Sequence, residues 1–502
     1  MTALGNKRYL FNIFGAVIVA FWLTMIGMLV RKVDFKKQKT GIGFENSVIT
    51  IDSAQREWKD IYLKDKKVGY AVNLIKPFKE GYFIQEEILL KLNLMDMSRS
   101  IHTVTQSRVD DKFLLKSFYF KMTSGVVSFN ISGKVEGDRL LIVTGKGRKQ
   151  KTRSIKLARP PMMGTGMGHF FKNRKISIGD TFNIPVFDPS TMSQKETVVR
   201  VVSRERIKIN RMTYDAFRLE TEMWGKLMTF WLDKDGGTLK EEGFMGMSTV
   251  KSSAANAPLG LEDREADDFY ELTAVTMDKE LPDPDRLSYL KLRLDGIDYV
   301  KEFQNAWNNG RQRFHNGVLE INKEKPPFKT SYSIPFDRSG DALMAFLEPE
   351  FNIENDAKEI IEMARRITGD ENDPLVVTRK LLRWVYGNIE KRPVVSVPSA
   401  LEVLRTRVGD CNEHATLLTA LLRASGIPAR LSTGLVYNRR KFFYHAWTEA
   451  YVGEWISMDA TLNQLPADVS HITLMRGNLD KQLEITGLIG KLKLKLMDYR
   501  YD

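Results

Sequence analysis

Apolar and polar residues alternate along most of the first half of the chain. Three runs with this period of two are FIQEEILLKL (83–92), FLLKSFYFKM (113–122) and VVSFNISGKV (126–135). Alternation is typical of strands that bury one face, and the glycines between the runs are typical of turns. A second series of such runs ends at DKDGG (233–237), which is a hairpin signal. For residues 51–251 we therefore predict a curved antiparallel sheet or half-barrel of about ten strands, in two similar halves.

Helical spacing of apolar residues replaces this alternation after residue 354. It predicts three helices, at 355–368, 374–389 and 412–425. Ser399 and Glu402 have the spacing of a capping box and predict a further short helix. Gly426 and Pro428 end the last of the three longer helices.

Strand patterns return after this last helix. An aromatic-rich run (442–452), the turn Gly453-Glu454 and an apolar run (455–459) predict a hairpin. The alternation LIGKLKLKL (488–496) predicts one more half-buried strand, and an amphipathic segment on a membrane surface is the weaker alternative.

The patterns divide the chain into segments, as its length allows for several domains. They are a short basic head (1–8), a transmembrane helix (9–30), a linker (31–50), the β-rich antiparallel domain (51–251), a polar, proline-containing linker (252–285), a small β-rich module (286–350) and a C-terminal domain with the helices and the hairpin (354–502).

The transmembrane helix is predicted from a run without charged residues between Tyr9 and Val30. A helix needs about 20 apolar residues to cross the hydrocarbon core of a bilayer. The run is too long for a signal peptide and lacks a cleavage pattern of small residues. We therefore expect an uncleaved single-pass anchor, with the membrane as a partner.

Two arguments about the orientation of this anchor point in opposite directions. Lys7 and Arg8 precede the run, whereas five basic residues follow it within residues 31–39. By the rule that positive loops stay inside, the large C-terminal part would lie in the cytoplasm. Long domains, however, translocate with limited regard for flanking charge. We expect the C-terminal part on the exterior or periplasmic side.

Composition narrows the classes of partner. The formal net charge of the 502 residues is +13, and it is spread along the chain rather than concentrated in one block. Such a charge favours anionic surfaces such as lipid head groups or acidic polymers, and we expect no nucleic-acid site. A single cysteine excludes disulfides within the chain.

That cysteine, Cys411, stands at the start of the helix predicted at 412–425. A helix N-terminus favours negative charge, so we expect a lowered thiol pKa and a stabilised thiolate. A thiolate nucleophile needs a base and a group that orients the base. His445 lies in the aromatic-rich strand, and the hairpin would bring Asp459 beside it. The order Cys, His, Asp on helix, strand and strand is a papain-like arrangement.

Three segments around these residues, GDCNEHATLLTALLRASGIPAR, YHAWTEAYV and WISMDATLN, resemble the core of the transglutaminase-like superfamily. The resemblance covers about the last third of the chain. It implies that Cys411 is the nucleophile, His445 the general base and acid, and Asp459 the residue that orients His445. It also implies a papain-like α+β fold in which the cysteine helix packs on an antiparallel sheet. No cofactor is implied, and no calcium loop is found.

Two other interpretations of Cys411 remain open. Free cysteine is often a small buried apolar residue, although the polar neighbours of Cys411 are unusual for a core position. The sequence Cys411-x-x-His414, with His445 and Asp459, also offers four ligands for zinc. Structural zinc sites usually show paired doublets of ligands, and this chain has one. We expect no metal, and we interpret His414 as a neighbour that tunes the site.

Two further features are interpreted as structural. His471, in the C-terminal tail, is expected to be a surface or packing histidine. The glycines of GTGMG (164–168) lack the spacing of a nucleotide loop and its context between a strand and a helix, so we predict a flexible loop. The methionines in and beside it are expected to pack or to contact lipid.

The function predicted is that of a membrane-anchored cysteine acyl-transfer enzyme acting on amide bonds of proteins or peptides. Water as the acceptor would make it a protease or amidase, and an amine would make it a cross-linking enzyme; the resemblance favours hydrolysis. The main alternative is a catalytically silent binding or scaffold protein that works through its β-rich domain, and a third is a metal-dependent hydrolase. The sequence does not set the oligomeric state.

Overall fold

The computed structural model describes residues 51–502, with gaps at 96, 146–149, 173, 224–225, 244–245, 262–267, 297–306, 327–329, 339 and 478. The predicted head, transmembrane helix and linker (1–50) lie outside the described residues. Within the described part, no helix is long and apolar enough to cross a membrane; the longest one there, Pro374–Asn388, has 15 residues. The described residues therefore give no support for the predicted single-pass anchor or for the exterior location inferred from it.

The fold class also differs from the prediction. Strands make up 49% of the described residues and helices 18%, so the protein is mostly β rather than α+β. Helical periodicity is real after residue 354, but the first half of the chain contains more strands than its alternation showed. Short strands with no clear period of two add to this excess.

Fifteen strands form one large sheet. They are β1 (Gln55–Leu63), β2 (Lys66–Pro77), β3 (Tyr82–Leu94), β4 (Met97–Val109), β5 (Leu115–Ser124), β6 (Val127–Glu136), β7 (Arg139–Thr144), β8 (Lys151–Lys156), β9 (Met162–Met163), β10 (Thr181–Asp188), β11 (Ser193–Ile209), β12 (Met212–Met223), β13 (Lys226–Leu232), β14 (Thr238–Glu242) and β15 (Met247–Ser252). Strands β1–β8 form one antiparallel meander and β10–β15 another, while β9 pairs in parallel with β10. The two meanders join where β1 pairs with β15, with Ile61 opposite Thr249.

This sheet curls around an apolar core to which both meanders contribute. Ile84 of β3 and Phe182 of β10 belong to one buried cluster together with Met167. Met167 lies on a short helix, α1 (Gly164–Phe170), inside the curl. A Cβ on Gly168 would lie 2.8 Å from Thr238 Oγ1, so glycine allows the helix to approach β14 closely. The flexible loop predicted here is wrong, because packing in the core outweighs the low helix propensity of glycine.

The next part of the chain, predicted as a linker and a small module, connects the two larger parts. It contains α2 (Phe269–Thr273), β16 (Val275–Thr276), β17 (Leu287–Asp295), β18 (Gln312–His315) and β19 (Val318–Asn322). The C-terminal strand β26 (Lys493–Tyr501) pairs with β17, which gives a four-stranded sheet in the order β18-β19-β17-β26. The strand predicted at 488–496 thus exists, but it begins later, because Ile485–Leu488 forms a 3-10 helix.

The C-terminal part contains the helices α3 (Lys358–Thr368), α4 (Pro374–Asn388), α5 (Ala400–Thr406), α6 (Cys411–Ala424) and α7 (Leu479–Glu484). Its strands are β20 (Glu390–Lys391), β21 (Val408–Gly409), β22 (Ala429–Asn438), β23 (Lys441–Tyr451), β24 (Trp455–Met458) and β25 (Ile472–Arg476). Further 3-10 helices are Pro284–Arg286 and Ala342–Leu347. The predicted helices and the predicted hairpin β23–β24 are confirmed to within a few residues.

Helix α6 is the centre of the C-terminal part. Its residues from Glu413 to Arg423 are buried, and they pack on β22 and β23 of a sheet with the order β16-β23-β22-β25, in which β24 also pairs with β23. Ser399 caps α5 as predicted, by accepting the N–H of Glu402. The fold therefore fixes Cys411, the first residue of α6, against the strands that carry the other predicted site residues.

Candidate active site

The position of Cys411 is set by a capping box at the start of α6. The Cys411 N–H donates to Asp410 Oδ1 at 2.8 Å, and Glu413 Oε2 accepts the Asp410 N–H at 2.9 Å. Gly409 makes room for this arrangement, since a Cβ there would lie 2.3 Å from the Cβ of Glu413. The backbone N–H of Cys411 is thus already bonded to Asp410. Asn412, the next residue, is exposed.

The thiol of Cys411 does not have the predicted electrostatics. Burial and then the Asp410 carboxylate raise the pKa of the thiol well above its ordinary value, and a hydrogen bond with the Ala446 backbone opposes them only in part. The expected lowering of the thiol pKa by the helix N-terminus is wrong, because burial, and after it the negative charge of the capping residue Asp410, favours the neutral thiol. Cys411 therefore rests as a neutral thiol.

Asp410 is itself held by a residue from the predicted linker. The hydroxyl of Tyr270, on α2, donates to Asp410 Oδ2. Burial raises the pKa of Tyr270, and the Asp410 carboxylate adds to the rise, so the phenol stays protonated and remains a donor. The region between the two larger parts of the protein therefore contributes directly to the surroundings of Cys411.

His445 and Asp459 are joined by a hydrogen bond. His445, on β23, has a side chain that is 10% exposed, and its Nε2 donates to Asp459 Oδ2 at 2.6 Å. Asp459 follows β24 and is buried; its Oδ1 accepts the N–H groups of Thr461 at 2.6 Å and Leu462 at 3.1 Å. Burial would raise the pKa of Asp459, but the neighbouring histidines hold it well below its usual range. An ionised, fixed Asp459 can orient the His445 ring.

A second histidine, which the sequence analysis placed at the surface or in packing, contacts the same carboxylate. His471 is fully buried, with Nε2 at 3.0 Å from Asp459 Oδ2 and Nδ1 at 3.2 Å from Asp468 Oδ1. Burial lowers the pKa of His471, but the two carboxylates outweigh burial and raise it to about 9. His471 is thus an imidazolium at neutral pH. The sequence shows Asp468 three residues before His471, but only the folded loop shows that His471 contacts both Asp468 and Asp459.

The loop that carries these residues is anchored by Arg311, which lies in the small module just before β18. Its buried guanidinium donates from Nη1 to Ser457 Oγ and from Nη2 to the carbonyl of Asp468, both at 2.6 Å. Glu324, which follows β19, accepts a further bond from Arg311 Nη1 at 3.3 Å. The small module therefore supports the chain around Asp459, a contact that no local pattern in the sequence indicates.

Cys411 and His445 line the same cavity, which has a volume of about 690 Å³. Tyr270 and Asn412 also lie on its wall. The structure therefore brings His445 and Asp459 into direct contact, and it places Cys411 and His445 where one substrate in the cavity could reach both.

The four possible zinc ligands of the alternative interpretation are not brought together as a set. Among the described residues, the group of possible ligands whose atoms lie within 4.8 Å of one another consists of His445, Asp459 and His471, without Cys411 or His414. His414 Nδ1 instead lies 2.7 Å from the Asp410 carbonyl. In the group of three, both histidines direct an Nε2–H at one carboxylate oxygen, whereas a metal needs the lone pair of that nitrogen. The donor set fits a hydrogen-bonded chain and does not fit a metal site.

Comparisons with known families assign parts of the chain. The model of the transglutaminase-like superfamily matches residues 361–460, and that of a family of proteins of unknown function, DUF3108, matches residues 60–243. No curated protein matches the chain. Residues 361–460 are thus a transglutaminase-like domain, which confirms the resemblance at the level of the superfamily and points to an enzyme of the papain-like cysteine type.

Solved structures show partial likeness. A candidate cysteine protease from Cytophaga hutchinsonii is 19% identical, covering 43% of this chain and 86% of that chain, with a TM-score of 0.28. The β-barrel-like protein of a domain of unknown function, DUF1849, from Brucella abortus is 14% identical over 41% of this chain and 97% of that chain, with a TM-score of 0.31. A candidate protease from Parabacteroides distasonis is 11% identical, covering 71% of this chain and 68% of that chain, with a TM-score of 0.21. At these low scores the likeness adds nothing to the family assignment.

Proposed function

We propose that this protein is a cysteine hydrolase that cleaves amide bonds of proteins or peptides. Cys411 is the nucleophile, His445 the general base and acid, and Asp459 the residue that orients His445. The observation that carries this proposal is the His445–Asp459 hydrogen bond of 2.6 Å on the wall of the cavity that Cys411 also lines.

The raised pKa of the thiol decides how the first step runs. The sulfur is not a preformed thiolate, so His445 takes the thiol proton as the sulfur attacks the substrate carbonyl. A carbon–sulfur bond forms, the amide carbon–nitrogen bond breaks, and the imidazolium of His445 gives its proton to the leaving amine. Asp459 stabilises this imidazolium because it is ionised and fixed by four hydrogen bonds, from two histidines and two backbone N–H groups.

The second step consumes the thioester. His445, neutral again, takes a proton from water, the water oxygen attacks the thioester carbonyl, and the proton returns to the sulfur. Cys411 is only 8% exposed and lies on the wall of the cavity. Water reaches such a buried sulfur more easily than a lysine on a second folded protein does. This supports hydrolysis over cross-linking.

Hydrolysis of acyl p-nitroanilides by the full chain tests the proposal. Cys411→Ala and His445→Ala should each lower kcat/KM by about a thousandfold or more, because nucleophile and base act as one unit. Asp459→Asn should lower it by about a hundredfold to ten-thousandfold, since the ring is then held in the wrong tautomer. His102→Ala, which changes an exposed histidine on β4, is the matched control and should leave kcat/KM unchanged.

A Cys411→Ala variant as active as the unmodified protein would overturn the proposal. A complete lack of hydrolysis of every acyl p-nitroanilide tested would also overturn it. In that case the main alternative, a catalytically silent binding protein that works through the large sheet, would take its place.

A further inference from the structure

The wall of the cavity opposite Cys411 belongs to the concave face of the large sheet. Ile88 on β3, Thr103 on β4 and Met122 on β5 lie side by side in register and all line the cavity. Residues two apart on a strand share a face, so Leu90, next but one to Ile88 on β3, extends the same wall. The sheet thus presents a continuous apolar surface to the cavity.

The C-terminal part closes this space from the other side. Phe269 of α2, together with Val395 and Val397 from the segment before α5, lies on the wall with Cys411 and His445. The cavity is therefore shared between the large sheet and the transglutaminase-like domain. The space that reaches Cys411 continues along the interior of the sheet.

Several apolar side chains on this wall are only partly buried. Ile88, Leu90, Met122 and Met247 pack against the neighbouring core but keep a surface that faces the cavity. Apolar surface that faces a space rather than a packed neighbour is a common property of ligand sites. The volume of about 690 Å³ lies within the roughly 300–1,000 Å³ of small-molecule pockets.

The chemistry of the wall distinguishes between possible occupants. An extended peptide would bring a backbone N–H and C=O at every residue, and each needs a partner when it is buried. A hydrocarbon chain needs none. The two acidic residues on the wall are already paired, Glu241 with Lys59 at 2.7 Å and Glu242 with Lys240, so they offer no free charge for a cationic ligand. A hydrocarbon chain fits this wall better than a peptide does.

We propose that this cavity is an acyl-chain chamber, and that the amide bond cleaved joins a long-chain fatty acid to an amino group of a peptide or protein. This inference rests on the proposed function of Cys411. The carbonyl of the substrate lies at Cys411, its hydrocarbon chain extends along Ile88, Thr103 and Met122, and its amine side leaves. The thioester keeps the chain in the chamber until water releases the fatty acid and restores the thiol.

The dependence of kcat/KM on chain length tests the chamber. Acetyl, octanoyl and palmitoyl p-nitroanilides share one leaving group and differ only in the acyl chain. Each methylene buried in the chamber should raise kcat/KM by up to about fourfold, so the palmitoyl substrate should exceed the acetyl one by several orders of magnitude. Equal values for the three substrates, or a preference for peptidyl over palmitoyl p-nitroanilides, would overturn the proposal.

A matched pair of variants on one strand tests where the acyl chain of the substrate lies. Thr103→Trp fills the chamber, whereas Val104→Trp puts the same side chain on the opposite face of β4, away from the cavity. Thr103→Trp should lower the ratio of kcat/KM for the palmitoyl substrate to that for the acetyl substrate at least about tenfold. Val104→Trp should leave this ratio unchanged. The chain-length series on the unmodified protein decides the question if Thr103→Trp fails to fold.

A binding measurement separates failure of the chamber from failure of the proposed function. Cys411→Ala should still bind palmitate, detected by displacement of a fluorescent fatty-acid analogue, and Thr103→Trp should weaken this binding at least about tenfold. Palmitate binding without any hydrolysis would support the chamber and refute the hydrolase. Hydrolysis of the acetyl substrate without palmitate binding would support the hydrolase and refute the chamber.

Discussion

His471 shows how strongly the folded chain can change a single side chain. It is fully buried between Asp459 and Asp468, and its ring lies 5.2 Å from that of Trp447. The two carboxylates make it a cation in a place from which water is excluded. It contacts the same carboxylate oxygen, Asp459 Oδ2, as the proposed general base His445 does, and so it helps to position Asp459.

This arrangement predicts how stability depends on pH. The pKa of His471 is about 9 in the folded protein, against an ordinary value of 6.5, so folding favours its protonated form. The stabilisation is fully present below about pH 6.5 and is lost as the pH rises through 9. By proton linkage the loss is up to about 3 kcal/mol of the free energy of unfolding. Urea denaturation followed by circular dichroism at pH 6.5 and pH 9 measures it.

The variant His471→Gln isolates this contribution. It should unfold at lower urea at pH 6.5 than the unmodified protein does, and the difference between the two should shrink toward pH 9. His315→Gln, at an exposed histidine of the small module, is the control and should follow the unmodified protein at both pH values. A constant difference between His471→Gln and the unmodified protein across this range would contradict the assignment of the cation to His471.

At the scale of elements, the sequence predicted what is local. Helix α6 and the β23–β24 hairpin were found from the spacing of leucines and from a glycine turn, and with them the neighbourhood of His445 and Asp459. The charge state of Cys411 was not found. It depends first on the burial of the sulfur and then on Asp410, which the sequence did not show to be the helix cap whose carboxylate disfavours a neighbouring thiolate.

The cap of α6 therefore allows a direct test of the thiol. Asp410→Asn removes the negative charge but keeps a side chain that caps helices well, so the helix should retain its start. The pKa of Cys411 should fall, because the largest neighbouring charge that raises it is gone. The rate of alkylation by iodoacetamide as a function of pH reports this pKa.

A thermal unfolding curve for Asp410→Asn is the necessary control, and it should stay close to that of the unmodified protein. Alkylation in the unmodified protein should become fast only above the ordinary cysteine pKa of about 8.5. If the pH profile of alkylation for Asp410→Asn lies at the same or a higher pH than that of the unmodified protein, then burial alone sets the thiol pKa.

At the scale of the whole molecule, the parts that the sequence separated share their cores. Leu290 and Leu292 of the small module lie in one buried cluster with Leu435, Phe442 and Ile472 of the sheet that carries His445. Strand β26 pairs with β17 from the far end of the chain. Period and spacing describe neighbours along the chain, so they could not show these contacts, nor the cavity that the large sheet closes over Cys411.

The shared core predicts where the chain can be cut. A fragment of residues 354–502, the C-terminal domain suggested by the sequence, lacks β16, β17 and Arg311, so it exposes Phe442 and leaves β26 without its partner strand. A fragment of residues 252–502 keeps all of these contacts. We expect cooperative thermal unfolding from the longer fragment, and from the shorter one a broad transition with exposed apolar surface that binds a hydrophobic dye. Equal, sharp transitions for the two fragments would show that the transglutaminase-like domain folds without the small module. The loop around Asp459 would then not need Arg311 for its conformation.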